Sequence, residues 1–257
     1  LVNGLALFRD RFAEHRERYV LIGGAACDLA LGAAGVGFRA TKDLDIVLRV
    51  EASDTAFAEA FWAFVDDGGY ESREASPREP RLYRFQRPAD ATYPAMLELF
   101  SGRPGVLEPR PGATMTPIPF DGEVASLSAI LLDDAYAAWI QDGRTDVEGV
   151  PILSATHLIP LKARAWLDLN HRHETGGRVD RADIKKHRND VFRLGSVIDP
   201  TARLQMSETI REDLRVFLAE VEPQTVDLKA MGLGAMTMAA FTAMLRDVYG
   251  MDQTAPQ

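Results

Sequence analysis

One stretch of thirty residues, Tyr19 to Leu48 (YVLIGGAACDLALGAAGVGFRATKDLDIVL), constrains the fold more than any other part of the chain. Tyr19–Ile22 is an apolar run that predicts a short strand. Gly23-Gly24 follows and opens a small-residue helix over 25–31. A loop over 32–41 leads to a second strand, Leu44–Val50, headed by Asp43 and Asp45. Residues i and i+2 of a strand point to the same face, so the two carboxylates aim at one spot. Like charges at the buried end of a strand oppose one another, and a cation between them removes that conflict. Two aligned carboxylates beside a glycine turn at a helix start can hold a divalent metal against a polyphosphate.

Gly23-Gly24 has two readings. Glycines there let backbone N–H groups approach an anion closely, or they simply allow tight packing of strand on helix. The glycines at 32, 35 and 37 do not form a GxGxxG pattern after a strand, which excludes a dinucleotide fingerprint.

A further acid, Glu98, sits among apolar neighbours in Ala95-Met96-Leu97-Glu98-Leu99-Phe100, a predicted strand. Beside the strand of Asp43 and Asp45 it completes a three-carboxylate site; on an edge strand it merely faces water. The pattern also predicts a first helix over 3–17, a crossover helix over 53–66 striped by Phe57, Ala60, Phe61 and Phe64, and a strand Leu82–Gln86 paired with 95–100. Polar turn residues fill 68–80, and the proline- and glycine-rich 101–123 reads as loop with one strand near 115–120. Beyond that the character changes to helices over 126–140, 154–170, 180–194, 208–221 and 237–248, with Ser126 and Ser154 as N-caps. The expected class is α+β: a small mixed sheet flanked by helices over residues 1–122, then a helical domain over 123–257.

The helical portion carries its own chemistry. From Lys162 to Arg193 there are nine Lys and Arg against five Asp and Glu, although the whole chain has a net charge of −9. That segment suits a polyphosphate or nucleic acid, or else is a solvated helical face. Lys162, in the apolar run HLIPLKARAWL, either snorkels or reaches a triphosphate. Asp183, Lys186, His187 and Asp190 follow i, i+3, i+4, i+7 spacing and so share one helix face, either solvated or ligand-binding. His171 and His173 lack the spacing of a helical zinc pair and read as a polar loop edge.

The single cysteine, Cys27, excludes an intramolecular disulfide and a cysteine-based zinc site. No apolar run approaches the ~20 residues that span a bilayer, and the start does not resemble a signal peptide. The expectation is a cytoplasmic protein with no membrane association.

Taken together, GGAACDLAL, RATKDLDIVL, MLELF, LKARAWLDL and RADIKKHRNDVFRL make residues 19–194 resemble the polymerase-beta nucleotidyltransferase superfamily, and within it the AbiEii-type abortive-infection toxin group. The resemblance implies Gly23 and Gly24 as the phosphate turn. It implies Asp43, Asp45 and Glu98 as catalytic, metal-holding carboxylates for Mg²⁺ or Mn²⁺. Lys162 is implied as a triphosphate contact and Asp183 as an acidic member of the helical motif, beside Lys186 and His187. Arg39 and Thr41, in the loop before the acids, stand where they would touch ribose or phosphate. The superfamily commonly has Gly-Ser where this chain has Gly-Gly-Ala, and commonly Asp where it has Glu98.

The expected activity is therefore two-metal transfer of an NMP from an NTP to an acceptor hydroxyl. An RNA end, most readily tRNA, is the acceptor the toxin resemblance implies, with a cognate antitoxin as protein partner. A small-molecule acceptor, as in antibiotic nucleotidyltransferases, is the enzyme rival. A catalytically inactive nucleotide-binding regulator is the rival of another class.

Overall fold

The computed structural model describes residues 2–49, 55–71, 82–101, 130–131, 133–234 and 236–251. The predicted strand near 115–120, the loop over 72–80, the boundary near Gly122 and the Ser126 cap lie outside the described residues. The chain forms two compact units, one of Leu1–Phe120 with Arg144–Ser154, the other of Asp121–Gly143 with Ala155–Gln257.

The first unit is an α+β layer built on a six-stranded mixed sheet. Its elements are α1 (Leu5–Arg11), a 3-10 helix (Ala13–Arg18), β1 (Tyr19–Ile22), α2 (Gly23–Ala33), β2 (Asp43–Leu48), α3 (Thr55–Gly68), β3 (Leu82–Gln86) and β4 (Met96–Ser101). The hairpin β5 (Arg144–Val147) and β6 (Val150–Leu153) completes it. The strand order is β3-β4-β2-β1-β6-β5. β2 runs antiparallel to β1 and parallel to β4, so the apolar strand occupies the centre, as its near-continuous hydrophobic run predicts.

Alternation sorts the two faces. Tyr19 and Leu21 of β1 lie opposite Leu48 and Ile46 of β2, and Leu44 and Ile46 lie opposite Leu97 and Leu99 of β4. This face packs on an aromatic cluster from α1 and α3. Phe8 and Phe12 stack at 4.4 Å, Phe57 contacts Tyr19, and Phe61 meets Phe85 edge-on at 5.5 Å. Because side chains alternate with period two, Asp43, Asp45, Glu98 and Arg84 belong to the opposite face.

Two local expectations change. The helix over 3–17 is instead α1 followed by the 3-10 helix, with Gly4 at φ 74° as the N-cap. The β5–β6 hairpin, which the sequence does not announce, adds 144–153 to the sheet through Leu21 opposite Ile152. It is hidden for physical reasons. Its two-residue turn, Glu148-Gly149, has φ of 53° and 80°, a primed turn made without the usual Asn-Gly or Asp-Gly signal. Pro151 lies inside β6 and reads as a strand breaker. Asp146 Oδ1 accepts the Gly149 N–H at 2.9 Å and closes the turn.

The second unit is helical among its described residues: α4 (Asp134–Asp142), α5 (Ala155–Glu174), α6 (Arg181–Gly195), α7 (Glu208–Val221) and α8 (Met238–Val248). Asp133, Asp180, Ser207 and Thr237 cap α4, α6, α7 and α8 with side-chain oxygens. The helix α5 runs on to Glu174, so His171 and His173 lie in its last turn rather than in a loop. Pro160 interrupts the hydrogen-bond ladder of α5, leaving the Thr156 carbonyl without its i+4 amide. The buried Tyr249 hydroxyl donates to that carbonyl at 2.5 Å. Trp166 meets Phe217 at 5.3 Å and Phe192 meets Phe241 at 5.0 Å, which tie α5 to α7 and α6 to α8. Among the described residues no helix is long and apolar enough to cross a membrane.

Candidate active site

The sheet register brings the acids together. Asp45 lies opposite Ile22 on one side and Glu98 on the other, and Glu98 in turn lies opposite Arg84. β4 is flanked by both β2 and β3, so Glu98 is an interior residue, only 6 % exposed, and not an edge glutamate facing water. Burial first, and then the charge of Asp45, push the Glu98 carboxyl up to about 8 against the opposite pull of the Arg84 guanidinium. In its protonated form Glu98 donates a hydrogen bond to Asp45.

The glycine turn abuts the same acids. Gly23 has φ +65°, and a Cβ placed on it would lie 1.7 Å from Asp45 Oδ2 and 2.6 Å from Asp45 Cγ. A Cβ on Gly24 would lie 2.5 Å from Thr41 Oγ1. Only glycine permits this left-handed start and this closeness. The first turn of α2 therefore sits directly against Asp45 and Thr41, and its N-cap, Ile22, supplies no side-chain hydrogen bond. Four of the sequence-selected residues (Gly23, Gly24, Thr41 and Asp45) thus form one contiguous patch, with Glu98 adjoining it. Asp43 stands two residues before Asp45 on the same face, half-buried. The Arg39 guanidinium lies 4.9 Å from the centroid of the Phe38 ring.

Arg84 is the residue that the sequence reading passes over. Its Nε and Nη2 both reach Glu98 Oε1, at 2.7 Å and 2.5 Å. The signal is present in hindsight: LYRFQ and MLELF are two alternating strands, each with one charge among apolar residues, and the charges are opposite.

Whether these residues suit a divalent cation depends on the donor set. Among the described residues, no three His, Cys, Asp or Glu side chains gather closely enough to hold a metal ion by themselves. Mg²⁺, however, retains waters and binds through one or two carboxylates plus substrate phosphates. The hard oxygens of Asp43 and Asp45, beside a turn with room for nothing larger than glycine, fit that mode.

Lys162, Asp183, Lys186 and His187 belong to the second unit. Lys162 is 6 % exposed, and its Nζ lies 3.5 Å from Oδ2 of the fully buried Asp190. Arg193 Nη1 approaches Oδ1 of the same carboxylate at 3.9 Å. Lys186 Nζ lies 3.8 Å from Asp183 Oδ1, and His187 is half-buried. The polar stripe of α6 therefore runs from half-buried at Asp183 to wholly buried at Asp190. Of the basic segment, Arg178, Arg181 and Lys185 are exposed.

No protein-family model matches the chain, and no curated protein does. Among solved structures, the chain is similar to the crystal structure of an antigenic nucleotidyltransferase-like protein from Paracoccidioides brasiliensis. The two share 17 % identity over 92 % of this chain and 94 % of the other, with a TM-score of 0.44.

Proposed function

We propose that the chain is a metal-dependent nucleotidyltransferase that moves an NMP from an NTP to an acceptor hydroxyl. One observation carries the reading: the uncapped first turn of α2 is pressed by Gly23 and Gly24 against Asp45 and Thr41, with Glu98 beside Asp45 across the strand pair. An anion-attracting helix start and a carboxylate pair suited to a cation meet at one point, which matches the mixed charge of a metal-bound triphosphate. Asp43 and Asp45 would hold Mg²⁺ or Mn²⁺, with Glu98 as the neighbouring third acid; the cation supplies charge neutralisation on the phosphates.

The chain's own groups then have distinct tasks. Backbone N–H groups at Gly23-Gly24 bind phosphate oxygens, and Thr41 Oγ1 is placed to donate to the same ligand. The acceptor oxygen attacks the α-phosphorus, the bond to the bridging oxygen of the β-phosphate breaks, and pyrophosphate leaves. Glu98 in its ionised form, beside Asp45 across the strand pair, takes the acceptor's proton. Lys162 and Asp183 are proposed nucleotide contacts on the strength of the sequence resemblance, and Lys186 and His187 on the helix face they share with Asp183.

An RNA end, tRNA foremost, is the acceptor we favour, as the toxin of a toxin–antitoxin pair. The exposed Arg178, Arg181 and Lys185 support a polyanionic partner. Incubation with Mg²⁺, each labelled NTP and total cellular RNA tests this. Label should enter RNA with the wild-type chain and be lost in Asp43→Asn/Asp45→Asn with the fold retained. Label entering only small molecules would select the antibiotic-type reading, and metal-dependent nucleotide binding without pyrophosphate release would select the inactive regulator.

A further inference from the structure

Three neighbouring carboxylates can hold two cations, yet here one of them is already engaged. Arg84 lies opposite Glu98 in the β3–β4 register and reaches a single oxygen, Oε1, with both Nε and Nη2 at 2.7 Å and 2.5 Å. The 2.7 Å contact lies at the short end of charge-assisted hydrogen bonds. Both side chains are withdrawn from water, Arg84 at 15 % and Glu98 at 8 % exposure. A cation arriving at Glu98 Oε1 would have to displace a guanidinium that is itself largely withdrawn from water.

We infer that the site takes a single divalent cation, on Asp43 and Asp45, and that Arg84 is a positioning residue occupying the place of a second cation at Glu98. The inference rests on the nucleotidyltransferase reading above and deepens it, because it sets the metal stoichiometry of the site. It also gives Arg84, on an edge strand outside the sequence motifs, a defined role.

The test is Mn²⁺ binding to the full chain, followed by the electron paramagnetic resonance of free Mn²⁺, with circular dichroism as the check on folding. The wild-type chain should bind one Mn²⁺, and Asp45→Asn should weaken it at least tenfold. Arg84→Gln, which keeps polarity and removes the charge, should gain a second Mn²⁺, while Arg84→Lys should keep one. If Arg84→Gln does not fold, Glu98→Gln serves instead: with Arg84 uncompensated, the one site should weaken about tenfold. Two Mn²⁺ on the wild-type chain, an unaltered count in folded Arg84→Gln, or unaltered affinity in Glu98→Gln would overturn the inference and leave the proposed reaction standing. No Mn²⁺ bound by the wild-type chain would overturn both.

Discussion

Gly23→Ala offers the sharpest probe of how the glycine turn and Asp45 depend on one another. Two costs combine. An alanine at φ +65° enters the left-handed region, at ~1–2 kcal/mol. Its Cβ would also lie 1.7 Å from Asp45 Oδ2, more than an ångström inside any real contact. Relieving that overlap means moving a carboxylate or a helix start, and overpacking of this kind costs ~1–3 kcal/mol. The single variant should therefore lose ~2–5 kcal/mol, read from urea unfolding at 25 °C by far-ultraviolet circular dichroism. The second arm separates the two costs. In Asp45→Ala the oxygen and Cγ are gone, and only the residue's own Cβ, 3.1 Å away, remains. Gly23→Ala on that background should cost the backbone part alone. The coupling energy of the cycle is then ~1–3 kcal/mol, well above the ~0.5 kcal/mol within which independent sites add. A coupling under ~0.5 kcal/mol would show that the glycine turn does not press on Asp45, and the proposed site would lose its central observation.

Three further outcomes follow from other parts of the molecule. Glu98 is raised from 4.5 to about 8, so between those values the folded chain keeps a proton that the unfolded chain releases. Stability should therefore fall as pH rises across that window, by on the order of 5 kcal/mol, and Glu98→Gln should abolish this slope; equal slopes in both chains would refute the assignment. Asp190→Ala should cost ~3–5 kcal/mol because it strands the buried Lys162 ammonium, whereas Lys162→Met with Asp190→Leu should recover most of it in the same urea assay. Tyr249→Phe should cost ~0.5–1.5 kcal/mol by removing its hydrogen bond to the Thr156 carbonyl, and Pro160→Ala should offset the loss by restoring the helical amide; a rescue that fails would remove the link between the two residues.

Much of the first unit is legible in the sequence because its signals are local. The apolar run at Tyr19–Ile22, the Gly-Gly start and the DLDIVL strand each announce themselves by periodicity, and the strand bounds agree to within two residues. The sidedness of Asp43 and Asp45 follows from period-two alternation alone. What the chain order does not contain is which strands become neighbours. That β4 lies beside β2, placing Glu98 opposite Asp45, and that β3 brings Arg84 to Glu98, are long-range pairings fixed by register and by burial of the opposite face on the Phe8–Phe64 aromatic cluster. The hairpin at 144–153 was illegible for the converse reason. Its turn and its proline contradict local preference, and only the tertiary sheet compensates them. The same holds in the helical unit, where a polar stripe at helical spacing has an identical pattern whether it faces water or a buried lysine. Spacing fixes which residues share a face; only packing decides what that face meets, because burial is a property of neighbours and not of the residue.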